Sequence, residues 1–293
     1  MNSGSASKLA QAPMPSGLEP KLAQLQTLIT GYERVLVAYS GGIDSTLVAK
    51  VAYDLLGDQA IAVTANSAAL LPSDLAEAQW QAQVIGIQHQ VVEGQELQNP
   101  QYAANPINRC YFCKSELYGQ LLPLAQSWGY KYVLDGLNAD DLQDYRPGIQ
   151  AAKERGVRSP LAEVGIGKIE IRQLSQYWQL PWWNKPAQPC LSSRFPYGEE
   201  ITLVKLQRVG AAELYLRQQF HSWGKNWDLR VRSQQNQAKI ELPYQHLSEF
   251  MQLIKLDQLN HAFKQLGFET VMLDLEGFRS GKLNDAIKSV GAS

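Results

Sequence analysis

A short apolar stretch that runs into two glycines constrains the fold of this chain more than any other feature of its sequence. Residues 35–38, VLVA, are typical of a buried strand, and an apolar-periodic segment begins at Ser45. Between them lies the sequence YSGGID, residues 39–44. Two glycines at the change from strand to helix indicate a tight turn whose backbone N–H groups can surround an anion.

Strand and helix patterns alternate along the chain from residue 21 onward. We predict strands at residues 35–38, 60–65, 90–92 and 131–135, and helices at 45–56, 73–85 and 115–128. This alternation predicts an α/β fold with a doubly wound parallel sheet. Ligands of such sheets bind beyond the carboxyl ends of the strands. We therefore expect a binding rim made of residues 39–45, 66–71 and 135–144.

The pattern changes near residue 185. Prolines at 181, 186, 189 and 196 disfavour a long regular element there. The segments that follow indicate a smaller α+β domain, with a helix at 203–220, a hairpin at 229–242, a broken helix at 247–266 and a strand at 270–275. We therefore expect a mobile tail at 1–19, an α/β domain at 20–185 and a C-terminal α+β domain at 186–293.

Composition narrows the class of protein. Hydrophobic residues make up 45% of the 293 residues and charged residues 19%, which is typical of a globular protein. A net charge of −1 disfavours a long nucleic-acid footprint, because such binding needs a basic surface. No apolar run approaches the roughly 20 residues that cross a bilayer, and the start of the sequence lacks the apolar core of a secretion signal. We expect a cytoplasmic protein with reduced thiols.

The loop SGGIDS, residues 40–45, has the groups of a phosphate-binding site. The backbone of Gly41 and Gly42 and the hydroxyls of Ser40 and Ser45 can donate hydrogen bonds to an anion, and Asp44 can help hold Mg²⁺. The Lys-Ser/Thr pair of a Walker loop is absent, which disfavours transfer of a γ-phosphate. The loop resembles the signature of the PP-loop ATP pyrophosphatases, whose domain is of the adenine nucleotide alpha hydrolase-like type.

The PP-loop resemblance implies a reaction and further ATP-binding residues. In that superfamily the loop holds the β and γ phosphates of ATP with Mg²⁺, a nucleophile attacks the α-phosphate, and pyrophosphate leaves. Ser67 matches the position at which the superfamily holds adenosine. The sequence DGLNADD, residues 135–141, resembles its second ATP motif, which implies roles for Asp135 and Asn138. Asp44 is then a catalytic candidate.

Three cysteines occupy two short segments. Cys110 and Cys113 form a C-x-x-C just before the predicted helix at 115–128, and Cys190 lies in QPCLSSRF. The alternatives are unrelated buried thiols, a zinc site, a redox C-x-x-C and sulfur chemistry. None of the four histidines lies near either segment in sequence, which leaves a zinc site short of a fourth ligand. Three thiolates can also hold an iron–sulfur cluster with one iron open.

Taken together, the PP-loop, the C-x-x-C-K sequence and PCLSSRFPYGEEIT, residues 189–202, are similar to the LarE family. Its members are ATP-dependent sulfurtransferases that build the nickel-pincer nucleotide cofactor of lactate racemase. The resemblance implies that ATP adenylates the carboxylates of pyridinium-3,5-biscarboxylic acid mononucleotide and that sulfur insertion converts them into thiocarboxylates.

The family resemblance implies one of two sulfur sources. One branch gives up the sulfur of a single cysteine at the position of Cys190, which becomes dehydroalanine, so that the enzyme acts once. The other branch has three cysteines and is associated with a [4Fe–4S] cluster. The presence of Cys110, Cys113 and Cys190 implies the cluster route, with a sulfide at the open iron and repeated turnover. The sulfide would come from solution or from a sulfur-donor protein.

A pyridinium mononucleotide carries a phosphate and carboxylates, and arginine binds such groups with paired N–H donors. Arg230 and Arg232 lie on one side of a predicted strand, where the family places a phosphate-binding pair; an exposed sheet face is the alternative. Arg194 is a candidate for a carboxylate or for the adenylate phosphate. Glu213 and Glu241 are weaker metal candidates, because acidic side chains are usually solvated.

Three other functions share part of this pattern. A tRNA thiolase also combines a PP-loop with cluster cysteines, but it would need a basic RNA surface or an added RNA-binding module. An amidotransferase-fed synthetase of the GMP or NAD type has no use for three cysteines. A catalytically silent ATP sensor would not need an intact Asp44 and Ser45. The LarE family's rings of dimers imply a homo-oligomer.

Overall fold

A computed structural model describes residues 14–143, 146–186 and 188–279. Its contacts divide the chain into two compact units. The first unit comprises Met1–Ala65, Asp74–Val92 and Tyr118–Ala187, and the second comprises Asn66–Ser73, Glu93–Leu117 and Gln188–Ser293. Segments 66–73 and 93–117, which we expected in the N-terminal domain, therefore belong to the second unit. The C-x-x-C and Cys190 consequently lie in the same unit.

The described residues form eleven α-helices and seven strands. The strands are β1 (Val35–Ala38), β2 (Ala60–Asn66), β3 (Gln88–Glu93), β4 (Tyr132–Leu134), β5 (Arg230–Gln234), β6 (Gln237–Glu241) and β7 (Thr270–Leu273). The helices are α1 (Glu19–Thr30), α2 (Ile43–Leu56), α3 (Pro72–Ile85), α4 (Pro100–Ala103), α5 (Arg109–Ser127), α6 (Pro147–Glu154), α7 (Pro160–Glu163), α8 (Lys168–Tyr177), α9 (Leu203–Ser222), α10 (Leu247–Leu253) and α11 (Leu256–Gln265). None of these helices is long and apolar enough to cross a membrane.

A four-stranded sheet in the order β3-β2-β1-β4 organises the first unit. Strand β1 pairs in parallel with both β2 and β4, and all four of its residues are buried. Such a central strand is apolar throughout because helices cover both faces of the sheet. The predicted α/β fold with a parallel sheet is confirmed.

Helices α1 and α2 supply much of the core beside β1. Leu25 and Ile29 of α1 and Leu47 and Val48 of α2 have no exposed surface. Leu18 is also buried, at 4% exposure, and α1 begins at the next residue. The end of the predicted tail is therefore part of the packed fold, whereas residues 1–13 of that prediction lie outside the described residues.

The second unit is built on a three-stranded sheet in the order β5-β6-β7. Strands β5 and β6 form the predicted antiparallel hairpin, and β7 pairs in parallel with β6. Helix α9 packs on this sheet, and an aromatic group of Phe220, Trp227 and Phe250 fills the core. The predicted broken helix consists of α10 and α11, as expected from its interrupted pattern.

One predicted boundary is wrong where it matters for function. Helix α5 begins at Arg109, six residues before the predicted start, so the C-x-x-C lies in its first turns rather than in a loop. The sequence RCYFC contains no glycine or proline that would prevent this. The break lies earlier, because Asn105 has a left-handed backbone conformation with φ of 52° and Pro106 follows it.

Candidate active site

The PP-loop follows β1 and leads into α2. Gly41 has φ of +69°, a conformation that favours glycine. A β-carbon at this position would lie 2.7 Å from the Cβ of Ala78 on α3. The glycine is therefore needed both for the backbone angle and for the close approach of the helix.

The hydroxyls around the PP-loop hold the loop itself. Ser45 Oγ accepts a hydrogen bond from the Ser40 N–H at 3.2 Å and donates to the Gly42 carbonyl at 3.2 Å. The side chain of Thr46 donates to the same carbonyl at 2.7 Å. The Gly42 N–H faces Ser40 Oγ at 3.3 Å. The loop is thus fixed before any anion arrives, which lowers the entropic cost of binding one.

The second predicted motif packs directly against the PP-loop. A β-carbon on Gly136 would lie 2.5 Å from the backbone nitrogen of Ser45, so only glycine permits this approach. Asp135 accepts hydrogen bonds from Tyr118 Oη at 2.9 Å and from the Leu137 N–H at 3.1 Å. Through these two hydrogen bonds, the Asp135 carboxylate fixes the conformation of the turn.

Asn138 joins this motif to the PP-loop. It is fully buried and donates from Nδ2 to Asp44 Oδ2 at 3.2 Å. Its Oδ1 accepts from the backbone N–H groups of Asp140 and Asp141, at 3.0 and 3.2 Å. A single amide side chain thereby sets the position of two acidic groups, Asp44 and Asp141.

The carboxylate of Asp44 is in an unfavourable environment. Burial, and then the negative charge of Asp141, raise the pKa of Asp44 to about 6. Its Oδ1 is buried and accepts no hydrogen bond from the described residues. Asp141 is balanced by Lys168 and Arg146, with N–O distances of 3.1 and 2.9 Å. An orphaned carboxylate oxygen beside a second acidic group fits a Mg²⁺ ion in its donor chemistry.

Ser67 lies in the second unit, in the turn after β2. Its hydroxyl donates to the buried carboxylate of Glu96 and accepts from the Ala69 N–H at 3.0 Å. Gly94 allows this contact, because a β-carbon there would lie 2.8 Å from Glu96 Oε2. Glu96 was not identified from the sequence, since it belongs to no motif.

The three cysteines interact with one another in the second unit. Cys110 and Cys113 lie three residues apart on α5, and Cys190 is exposed. Burial, and then the negative charge of Cys190, raise the pKa of the Cys113 thiol to about 12. The same two causes raise the pKa of Cys110. Redox C-x-x-C sites work with lowered thiol pKa values, so these environments disfavour that alternative.

Within the described residues, no group of three His, Cys, Asp or Glu side chains is arranged to hold one metal ion. The zinc alternative therefore finds no site there. The cluster route rests on the type of donor alone, three cysteine thiols, and stays a prediction.

Three arginines hold the carbonyl groups around Cys190, on the segment that we call the Cys190 loop (residues 189–201). Arg109 donates to the Ser192 carbonyl at 2.9 Å and Arg232 to the Ser193 carbonyl at 2.6 Å. Arg194 donates to the Pro189 carbonyl at 3.1 Å. Three guanidinium groups therefore bind the backbone of this loop.

Two of these arginines are neutralised by buried glutamates. Arg194 makes a bidentate pair with Glu213 at 2.6 and 3.1 Å, and Arg232 pairs with Glu241 at 2.9 Å. Both glutamates, considered above as metal ligands, are thus engaged by arginine. Arg109 is 4% exposed and has no carboxylate partner among the described residues.

Arg230, the third predicted substrate arginine, is also buried. Arg230 is 3% exposed, donates to the Leu229 carbonyl at 2.6 Å and lies over the ring of Phe278. Burial, and then the positive charge of Arg194, lower its pKa to about 10. A substrate-binding role for Arg194, Arg230 and Arg232 stays a prediction.

Backbone and side-chain contacts fix the Cys190 loop within the second unit. The backbone N–H groups of Leu191, Gly198 and Ile201 donate to the carbonyls of Ala69, Asn105 and Ala103, at 2.9, 2.8 and 2.8 Å. The Tyr102 hydroxyl lies 2.5 Å from Ser192 Oγ. Sequence reasoning missed Arg109 and Tyr102. The position of Arg109 next to Cys110 could have revealed it, whereas nothing marks Tyr102.

The adjacent tryptophans of the first unit serve packing. Trp182 is 4% exposed, and its ring meets that of Trp80 edge-on, with centroids 5.5 Å apart. Trp183 is 38% exposed.

Comparisons with known proteins place the chain in a family. Residues 23–103 match the model of the NAD synthase family. An uncharacterised protein of Synechocystis sp. is 62% identical over 91% of this chain and 98% of its own length. The pyridinium-3,5-bisthiocarboxylic acid mononucleotide synthase of Lactiplantibacillus plantarum is 40% identical over 92% of this chain and 96% of its own length. A glutamine-hydrolysing GMP synthase of Saccharolobus islandicus is 28% identical over 54% of this chain and 47% of its own length. The chain therefore belongs to the LarE family of PP-loop enzymes.

Proposed function

We propose that this enzyme uses ATP to insert sulfur into the carboxylates of pyridinium-3,5-biscarboxylic acid mononucleotide, which yields the thiocarboxylates of the nickel-pincer nucleotide. The observation that carries the proposal is the environment of Cys190. An exposed thiol lies on a loop held by Arg109, Arg194 and Arg232, in a chain 40% identical to a synthase of that bisthiocarboxylic acid.

The first step is adenylation of a substrate carboxylate. The PP-loop N–H groups bind the β and γ phosphates, and Asp44 and Asp141 would hold Mg²⁺, which neutralises charge on the phosphates when bound. A carboxylate oxygen attacks the α-phosphorus, the bond from that phosphorus to the bridging oxygen of the β-phosphate breaks, and pyrophosphate leaves. Ser67 and Glu96 are our candidates for holding the adenosine.

The second step is sulfur transfer to the acyl adenylate. A sulfur nucleophile attacks the acyl carbon, the bond from this carbon to the AMP oxygen breaks, and AMP leaves with the electron pair. Arg109, which has no carboxylate partner among the described residues, is our candidate for stabilising the negative charge that develops on the acyl oxygen and on AMP. Repetition on the second carboxylate completes the product.

Cys110, Cys113 and Cys190 would hold the [4Fe–4S] cluster in the favoured route. When bound, the cluster would supply a transferable sulfide. The pKa of Cys113, raised to about 12, disfavours this thiol as the sulfur nucleophile, because it stays protonated at neutral pH.

The alternative route uses the sulfur of Cys190 itself. The Cys190 sulfur would form a thioester with loss of AMP, and β-elimination would then break its Cβ–Sγ bond. The Cα proton would leave to a base, the thiocarboxylate would depart, and dehydroalanine would remain at position 190. Cys110 and Cys190 are both exposed, and the position of Cys190 on the loop held by arginine donors favours it as the sulfur donor.

Iron and acid-labile sulfide, measured on protein purified without oxygen, distinguish the two routes. About four of each per chain, falling sharply in Cys110→Ala, is expected for the cluster route. Absence of iron, together with the loss of H₂S from the mass of Cys190 after reaction, would establish the sacrificial route. Failure of the original protein, whether or not it contains iron, to form thiocarboxylate from the pyridinium substrate and ATP would overturn the proposed function.

A further inference from the structure

A lysine outside every recognised motif contacts the PP-loop. Lys185 lies between α8 and the Cys190 loop in sequence, within the first unit. Its Nζ donates to the Gly41 carbonyl at 3.0 Å and lies 3.0 Å from Glu77 Oε2. The side chain is only 10% exposed. A nearly buried ammonium group thus rests on the backbone of the loop that binds phosphate.

The position of this ammonium fixes the direction of one peptide group. In a planar trans peptide the C=O and the following N–H point in opposite directions. Because Lys185 holds the carbonyl of Gly41, the N–H of Gly42 is turned to the opposite side, where Ser40 Oγ lies at 3.3 Å. A Gly-Gly peptide can rotate at little steric cost, and rotation would aim a carbonyl oxygen at the bound anion.

We propose that Lys185 is a positioning residue of the PP-loop, which holds the Gly41–Gly42 peptide with its N–H toward the pyrophosphate part of ATP. Glu77 lowers the cost of burying the ammonium and makes no hydrogen bond to the loop peptide among the described residues. The inference involves ATP binding alone and does not depend on the sulfur source or on the pyridinium substrate.

The test is binding of Mg²⁺-ATP and of inorganic pyrophosphate, measured by titration calorimetry on the full chain. We expect Lys185→Met to weaken both Kd values about tenfold, because a hydrogen bond to a charged group is lost. Lys185→Arg should stay within about threefold of the original Kd, since it keeps the donor and the charge.

The chain offers a matched control in the first unit. Lys21 Nζ also contacts a glycine carbonyl, that of Gly165 at 2.6 Å, and a glutamate, Glu170 at 2.7 Å. Lys21→Met removes the same kind of bridge and should leave the Kd for ATP unchanged. Equal weakening in Lys21→Met and Lys185→Met would mean that the effect is a general loss of stability, and it would overturn the proposal.

Glu77→Gln separates positioning from simple tethering. It keeps the bond from Lys185 to Gly41 and removes the competing carboxylate, so we expect ATP to bind no more weakly than in the original protein. If Glu77→Gln weakens ATP binding as much as Lys185→Met does, the pair is only a tether. An unchanged Kd for ATP in a folded Lys185→Met protein would contradict the proposal. If Lys185→Met does not fold, loss of ATP binding in a folded Lys185→Arg protein would contradict it instead.

Discussion

The PP-loop and the Cys190 loop differ in the charges around them and in the contacts that hold them. The PP-loop is fixed largely by its own residues, through hydrogen bonds among Ser40, Gly42 and Ser45. The Cys190 loop is held by side chains distant in sequence, such as Tyr102, Arg109 and Arg232. In the first region Asp44 keeps a buried oxygen without a hydrogen-bond donor among the described residues, whereas two of the arginines in the second are paired with buried glutamates.

This difference indicates a division of labour. A phosphate site that keeps Asp44 close to Asp141 requires a divalent cation before a polyanion can enter. Two of the three guanidinium groups that hold the Cys190 loop are paired with buried glutamates. Local hydrogen bonds therefore make up much of the frame of the first site, together with contacts from Asn138 and Lys185, while the second depends on the packing of its unit.

The largest effect should come from Gly136→Ala. The added methyl group would lie 2.5 Å from the Ser45 nitrogen, so the second motif and the PP-loop must separate. We expect a loss of about 3 kcal/mol in the free energy of unfolding, measured with urea, and at least tenfold weaker Mg²⁺-ATP binding.

Gly119→Ala is the control for this prediction. Its β-carbon would meet nothing closer than the Arg155 guanidinium at 3.6 Å, and the position is helical. This variant should be as stable as the original or slightly more stable. Normal ATP binding by Gly136→Ala would show that the two segments do not need their close contact.

An intermediate effect is expected from Arg109→Gln on α5, whose side chain holds the Cys190 loop. Loss of the charged donor to the Ser192 carbonyl should slow sulfur transfer about 30-fold, equivalent to about 2 kcal/mol, while the Kd for Mg²⁺-ATP changes less than about twofold. Single-turnover formation of thiocarboxylate measures the first quantity.

Arg109→Lys sharpens this prediction. It keeps the charge but lacks the planar guanidinium whose Nη1 donates to both Asn105 Oδ1 and the Ser192 carbonyl, so it should recover only part of the rate. A loss of ATP binding equal to the loss of sulfur transfer would remove the proposed separation between the two regions.

The smallest effect concerns the pH dependence of stability through Asp44. Its pKa is raised to about 6 in the folded protein, so folding favours the protonated carboxyl. The stability contributed by this group is present below about pH 4 and is lost as the pH rises through about 6. Because Asp44 is partly exposed, we expect a loss of about 1–2 kcal/mol.

Urea unfolding in EDTA at about pH 5 and about pH 7.5 tests this sign. Asp44→Asn should gain stability relative to the original protein at the higher pH, and Mg²⁺ should stabilise only the original. The exposed Asp54→Asn on α2 is the control and should follow the original at both values. A constant difference between Asp44→Asn and the original protein would contradict the pKa argument.

The parts of the molecule that could be predicted from sequence are those specified by local pattern. The apolar β1, the glycine turn after it and the hairpin at 229–242 each follow from residues within a few positions of one another. The start of α5 was predicted six residues late, since the C-x-x-C was placed before the helix rather than in its first turns. Contacts such as Arg194–Glu213 and Lys185–Gly41 join distant segments, and a single sequence contains no record of them.

The backbone bonds of the Cys190 loop also limit how this protein can change in evolution. Leu191, Gly198 and Ile201 each donate to a fixed carbonyl, so the number of residues between them cannot vary without breaking a bond. Insertions and deletions among relatives should therefore be absent from residues 191–201. An insertion in this segment would shift Cys190 relative to the turn at Ala69. Such a relative would then have a different active-site geometry.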